Sequence, residues 1–68
     1  MNGAVKSFDA RRGAGLITPD GGGADVFVHV SEVERAGIAR IAAGDRFSFD
    51  TQTDRALGRT FATNLSPL

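Results

Sequence analysis

The sequence predicts a small all-β barrel, and three observations carry that expectation. Short runs of strand-forming residues recur along the 68 residues, each closed by glycine, proline or a turn containing aspartate. Apolar and polar residues alternate with a period of two in the strongest runs, and no sustained 3.6 period appears. The length leaves room for one core, so residues 1–68 are expected to form a single domain. Five strands with one helical turn among them favour a barrel or roll over a helical bundle.

Each element has its own local warrant. "AVKSF" (4–8) is rich in strand-compatible residues and ends at the turn "DARRG". "AGLITP" (14–19) is stopped by Pro19, and "DGGGAD" (20–25) is a turn, with Asp20 and Asp25 expected to cap it. "DVFVHV" (25–30) is the strongest strand signal, made of β-branched and aromatic residues. The first three runs, joined by short connections, predict an antiparallel meander. Ser31 with Glu34 three residues later forms a capping-box pattern, and Gly37 limits the helix to one or two turns. "GDRFSFD" (44–50) alternates again, and "RTFATNL" (59–65) supplies the last strand.

Alternation also predicts faces. Val26, Val28 and Val30 share one face and are expected inside, which sends Phe27 and His29 outward together. With Ile17 inside, Ala14 and Leu16 join them on the outer face. Phe47, Phe49 and Phe61 are expected in the core. Phe8 is open between surface stacking and core packing, because simple alternation does not settle the faces of Ser7 and Phe8.

Composition excludes several chemistries. There is no cysteine, so neither disulfides nor thiolate metal sites are available. The single histidine, His29, has no second histidine or spaced carboxylate that would make a metal site or a general base. No enzyme and no cofactor are therefore expected. Lys6 and Asp9 break the apolar run of "MNGAVKSFDA", so a signal peptide is not expected, and nothing approaches the length of a membrane-spanning helix. The expected location is the cytoplasm. Eight basic residues balance eight acidic ones, which argues against strong electrostatic affinity and not against binding itself.

"RRGAGLITPD" has the outline of a first ribonucleoprotein motif: a basic residue, glycine, one residue, glycine, then an apolar strand. Taken with "GAVKSFD", "DVFVHVSEVERAG", "GDRFSF" and "ATNL", it resembles the bacterial cold-shock domain over essentially the whole chain. That resemblance implies a five-stranded antiparallel Greek-key barrel of the oligonucleotide-binding type that binds single-stranded RNA and DNA. The family's first strand, Gly-x-Val-Lys-Trp-Phe-Asn, is matched by Gly3, Val5, Lys6 and Phe8. Its Lys-Gly-Phe-Gly-Phe-Ile is matched by Arg12, Gly13, Gly15 and Ile17, and its Val-Phe-Val-His-Phe by Val26, Phe27, Val28 and His29. The resemblance implies that Phe8, Phe27 and His29 stack on bases or ribose while Lys6 and Arg12 hold the phosphate backbone. Arg11, Leu16, Val30, Ile38 and Arg59 are expected as secondary contacts.

The departures all fall on the binding surface. Ser7 stands where the family has tryptophan, and Ala14, Leu16, Val30 and Ile38 stand where it has other aromatic rings. A stacked base is worth about 1–3 kcal/mol per ring. Losing several rings therefore removes on the order of 3–9 kcal/mol, against about 8 kcal/mol in a whole micromolar complex. The implied function is weakened or altered single-strand binding of RNA-chaperone type. A rival is an interaction module in which Ala14, Leu16, Val30 and Ile38 form a patch for a partner or a second copy, including a homodimer made by strand exchange.

Overall fold

In the computed structural model, which describes residues 1–68, the elements run β1 (Asn2–Asp9), β2 (Ala14–Pro19), β3 (Val26–His29), α1 (Val30–Arg35), β4 (Arg46–Asp54) and β5 (Arg59–Pro67). The five strands close into a barrel in the order β1-β2-β3-β5-β4. The meander β1–β2–β3 is antiparallel as expected, as are the β4–β5 hairpin and the β1–β4 seam. The remaining seam is parallel: β3 meets β5 at Phe27 and Phe61. A parallel neighbour requires a crossover, and here α1, its following loop and β4 provide it. No helix is long and apolar enough to cross a membrane.

Nine apolar residues fill the barrel: Val5, Ile17, Val26, Val28, Val33, Phe47, Phe49, Ala62 and Leu65. No polar or charged residue is buried with them. The inward positions of β2, β3 and β4 follow the alternation of the sequence. Two β-bulges break it elsewhere. In β1, Val5 pairs with Ile17 and Ser7 with Leu16, so Lys6 is an extra residue without a partner opposite. That insertion lets Val5 and Phe8, three apart, both turn toward the core. In β5, Ser66 pairs with Ser48 and Thr63 with Asp50, which sets Asn64 and Leu65 against Phe49 alone. Asn64 takes a left-handed conformation there (φ 52°), one that asparagine tolerates better than most residues.

The second bulge overturns one expectation. Counting by twos from Leu65 puts Phe61 inside. The extra residue shifts the phase, so Ala62 is fully buried and Phe61 is only half-buried. Ser31 is also not the helix cap. The helix starts two residues earlier than expected, directly from the strand, and the cap is His29, still extended at φ −101° and ψ 148°. Val30 accordingly leaves the strand, and instead of lying inside with Val26 and Val28 it is half-buried at the start of α1. Asp20 and Asp25 do not cap their loop: Asp20 pairs with Arg46, and Asp25 accepts bonds from Lys6 and Thr18.

Candidate nucleic-acid interface

Pairing across the barrel sets one transverse row of side chains. Ser7 lies opposite Leu16, Leu16 opposite Phe27, Phe27 beside Phe61, and Phe61 opposite Gln52. Directly paired residues project from the same face of a sheet. Because Val26 and Val28 on either side of Phe27 are buried, this is the outer face. The row thus crosses all five strands, and its aromatic portion is Phe27 and Phe61, with ring centroids 6.0 Å apart and planes tilted by 44°. That spacing is within the range of favourable aromatic pairs. A shorter parallel row carries Asp9, Ala14 and His29.

The glycines of the first motif are explained by what packs on them. A side chain at Gly15 would meet the Phe8 ring at 2.6 Å as well as the Ser7 carbonyl oxygen. Gly13 has φ +68°, and a Cβ there would sit 2.9 Å from Val30 Cγ1. Val30 N–H donates to the Gly13 carbonyl at 2.8 Å. The glycines therefore let β1, the β1–β2 turn and the start of α1 close on one another, and neither needs a ligand to account for it.

Phe8, left open by the sequence, is half-buried. It packs against the core and over Gly15, and its remaining surface lines a groove with Ser7, Arg12, Ala14, Leu16 and Phe27. Phe27 stands at the centre of the face, and Arg59 covers one side of it, its guanidinium carbon 4.9 Å from the ring centroid. That is within cation–π range. His29 is exposed at the end of β3, where its Nδ1 accepts from Ser31 N–H at 3.1 Å. Accepting at Nδ1 leaves the ring proton of the neutral imidazole on Nε2.

The charges are less free than the sequence implies. Lys6, displaced outward on its bulge, bonds to Asp25 at 3.1 Å. Arg12 lies 3.7 Å from Asp9, whose carboxylate also accepts from the backbone N–H groups of Arg11 and Arg12 and so closes the β1–β2 turn. Arg35 and Arg46 pair with Glu32 and Asp20. Arg11, Arg40, Arg55 and Arg59 stand outside these pairs. The hydrogen bond from Lys6 is the main reason that the Asp25 carboxyl is held below its ordinary value, opposed by partial desolvation and helped by Thr18.

Of the secondary positions, Leu16 lies in the transverse row, while Val30 is half-buried over Gly13 and Ile38 packs against the core. The large apolar side chains that are exposed are Met1, Leu57 and Leu68 instead. Sequence reasoning missed Phe61 and Gln52 as members of the face. The available signal was Asn64, a residue type suited to the left-handed turn of a bulge.

Comparison with known proteins agrees with this geometry. The protein named "Probable cold shock protein y4cH" of Sinorhizobium fredii is 49% identical over 63 residues, covering 93% of this chain and 91% of that one. "Cold shock protein CspA" of Rhizobium meliloti is 44% identical, covering 94% and 93% of the two chains. "Cold shock domain-containing protein 4" of Arabidopsis thaliana is 42% identical over 94% of this chain and 31% of its own length. A family model described as "'Cold-shock' DNA-binding domain" matches residues 1–68. With a closed five-stranded barrel, both ribonucleoprotein-type strands side by side and a match from end to end, the chain belongs to the cold-shock domain family, whose members are nucleic-acid-binding OB-folds.

Proposed function

We propose that this chain is a single 68-residue cold-shock module that binds single-stranded RNA or DNA weakly and tolerantly, as a cytoplasmic RNA chaperone does. Phe27, His29 and the exposed part of Phe8 stack on bases or ribose, and Lys6 and Arg12 approach the phosphates. Arg11, Leu16, Val30, Ile38 and Arg59 are secondary contacts. The observation that carries this reading is the transverse row, in which Phe27 projects from the outer face between Leu16 and Phe61. An aromatic ring presented outward, next to a row that ends in His29, suits base stacking and serves no purpose in filling the barrel.

Weak binding follows from the same face. Ser7, Ala14 and Leu16 offer no ring on β1 or β2, so a strand passing over them gains only small apolar contacts. Titration of a labelled heptanucleotide, as RNA and as DNA, at low salt is expected to give micromolar affinity. Replacing Ala14 and Leu16 together by phenylalanine is expected to tighten binding at least about tenfold, since each stacked base is worth about 1–3 kcal/mol. Nanomolar binding by the unaltered chain, or no gain from the two added rings, would contradict the reading. Light scattering on the same samples identifies a dimer; a dimer without oligonucleotide binding would favour the self-association alternative.

A further inference from the structure

We infer that the base-binding part of this face has moved toward the β4–β5 side, where an unpaired nucleobase stacks on Phe61 and is read at its edge by Gln52. The inference rests on the single-strand-binding function proposed above and locates the subsite within it. Three observations carry it. Along the transverse row the rings stand only on β3 and β5, at Phe27 and Phe61, while β1 and β2 contribute Ser7 and Leu16. Arg59 already covers one side of the Phe27 ring. Phe61 lines an open cleft of about 540 Å³ together with His29, Gln52, Arg55 and Thr63.

The lining selects the ligand. Gln52 lies directly opposite Phe61, so its carboxamide, both donor and acceptor, stands beside whatever rests on that ring. Glutamine at this position suits the donor–acceptor edge of a base, adenine best of all. The same cleft has Glu32 and Asp54 on its walls. Glu32 is neutralised by its pair with Arg35, while Asp54 repels a phosphate from the interior and leaves an uncharged base as the group that fits. The phosphate is then held at the rim by Arg55, which has no carboxylate partner of its own. A strand bound this way crosses from Phe27 to Phe61, away from the ring-poor side of the barrel.

Fluorescence titrations of labelled dA6, dT6 and dC6 at low salt test the inference with three proteins: the unaltered chain, Phe61→Leu and Gln52→Ala. Phe61→Leu keeps apolar volume and removes the ring, and is expected to weaken binding about fivefold to twentyfold. Gln52→Ala is expected to lose at least about threefold for dA6 and less for the other two. Amide NMR of the unaltered chain gives a readout independent of any variant's folding, with shifts on adding dA6 expected at Gln52, Phe61 and Thr63. If the chain binds and Phe61→Leu binds as well, or the shifts are confined to residues 6–16, the displaced subsite is wrong and the general function stands. If the unaltered chain binds none of the three oligomers, both are wrong.

Discussion

Lys6 illustrates how one residue's backbone position decides its chemistry. As the extra residue of the β1 bulge it has no partner opposite and projects outward, where Asp25 meets it at 3.1 Å. Any phosphate that uses Lys6 must compete with that carboxylate. Asp25→Asn is therefore expected to free the ammonium and tighten single-strand binding about twofold to fivefold at low salt, the gain of roughly one phosphate contact. Unchanged or weaker binding by this variant would remove Lys6 from the contact set. The pair also has a pH signature. The folded-state carboxyl sits below its ordinary value of 3.8, mainly through the Lys6 hydrogen bond. Its contribution to stability is thus complete above that ordinary value and lost as pH falls through the lower folded value. Urea denaturation of the unaltered chain is expected to lose more between neutral pH and pH of about 3 than that of Asp25→Asn. Equal losses would show that the pair contributes nothing to the acid limb.

At the level of elements, the sequence carried most of the barrel and missed its two irregularities. Glycine and proline punctuation located every strand, and the valines of β3 showed which way Phe27 and His29 point, because a strand buried on one face has little freedom of phase. The parallel β3–β5 seam was not legible, since it depends on where the sixteen residues between β3 and β4 set down the hairpin and not on any local pattern. Bulges were nearly as opaque, with Asn64 the one local hint: one inserted residue reverses the face of everything beyond it, so Phe61 moved from the core to the outer face. The Asn64 bulge is testable on its own. Asn64→Gly is expected to be within about 0.5 kcal/mol of the unaltered stability, trading a hydrogen bond to Asp50 for a residue free to adopt positive φ. Asn64→Val is expected to cost about 2 kcal/mol, because a β-branched residue is strained in the left-handed region. Thermal denaturation followed by circular dichroism distinguishes them, and a stable valine variant would mean that the bulge relocates easily and that the position of Phe61 is not fixed by it.

For the molecule as a whole, the balance of charge limits how it can hold a polyanion. Eight basic groups face eight acidic ones, and Lys6, Arg12, Arg35 and Arg46 are already paired with carboxylates. Of the rest, Arg11 stands at the β1–β2 turn, Arg40 in the loop before β4, and Arg55 and Arg59 at the β4–β5 hairpin. Two of the four unpaired arginines thus stand on the same side as Phe61. A single strand lying on this face meets two to four cations at most, and each neutralised phosphate contributes about −0.7 to the slope of log affinity against log salt. Raising salt from about 50 to 200 mM is therefore expected to weaken binding about sevenfold to fiftyfold, a modest dependence for a nucleic-acid-binding protein. Titrations at four salt concentrations measure the slope. A slope of about −4 or steeper would require about six phosphate contacts, more than Lys6, Arg12, Arg55 and Arg59 together supply. A slope near zero would leave stacking as the whole of the affinity and remove Arg55 and Arg59 from the bound strand. Arg59→Ala decides where the cations act: it is expected to make the slope shallower by about 0.7, and Arg40→Ala to leave it unchanged.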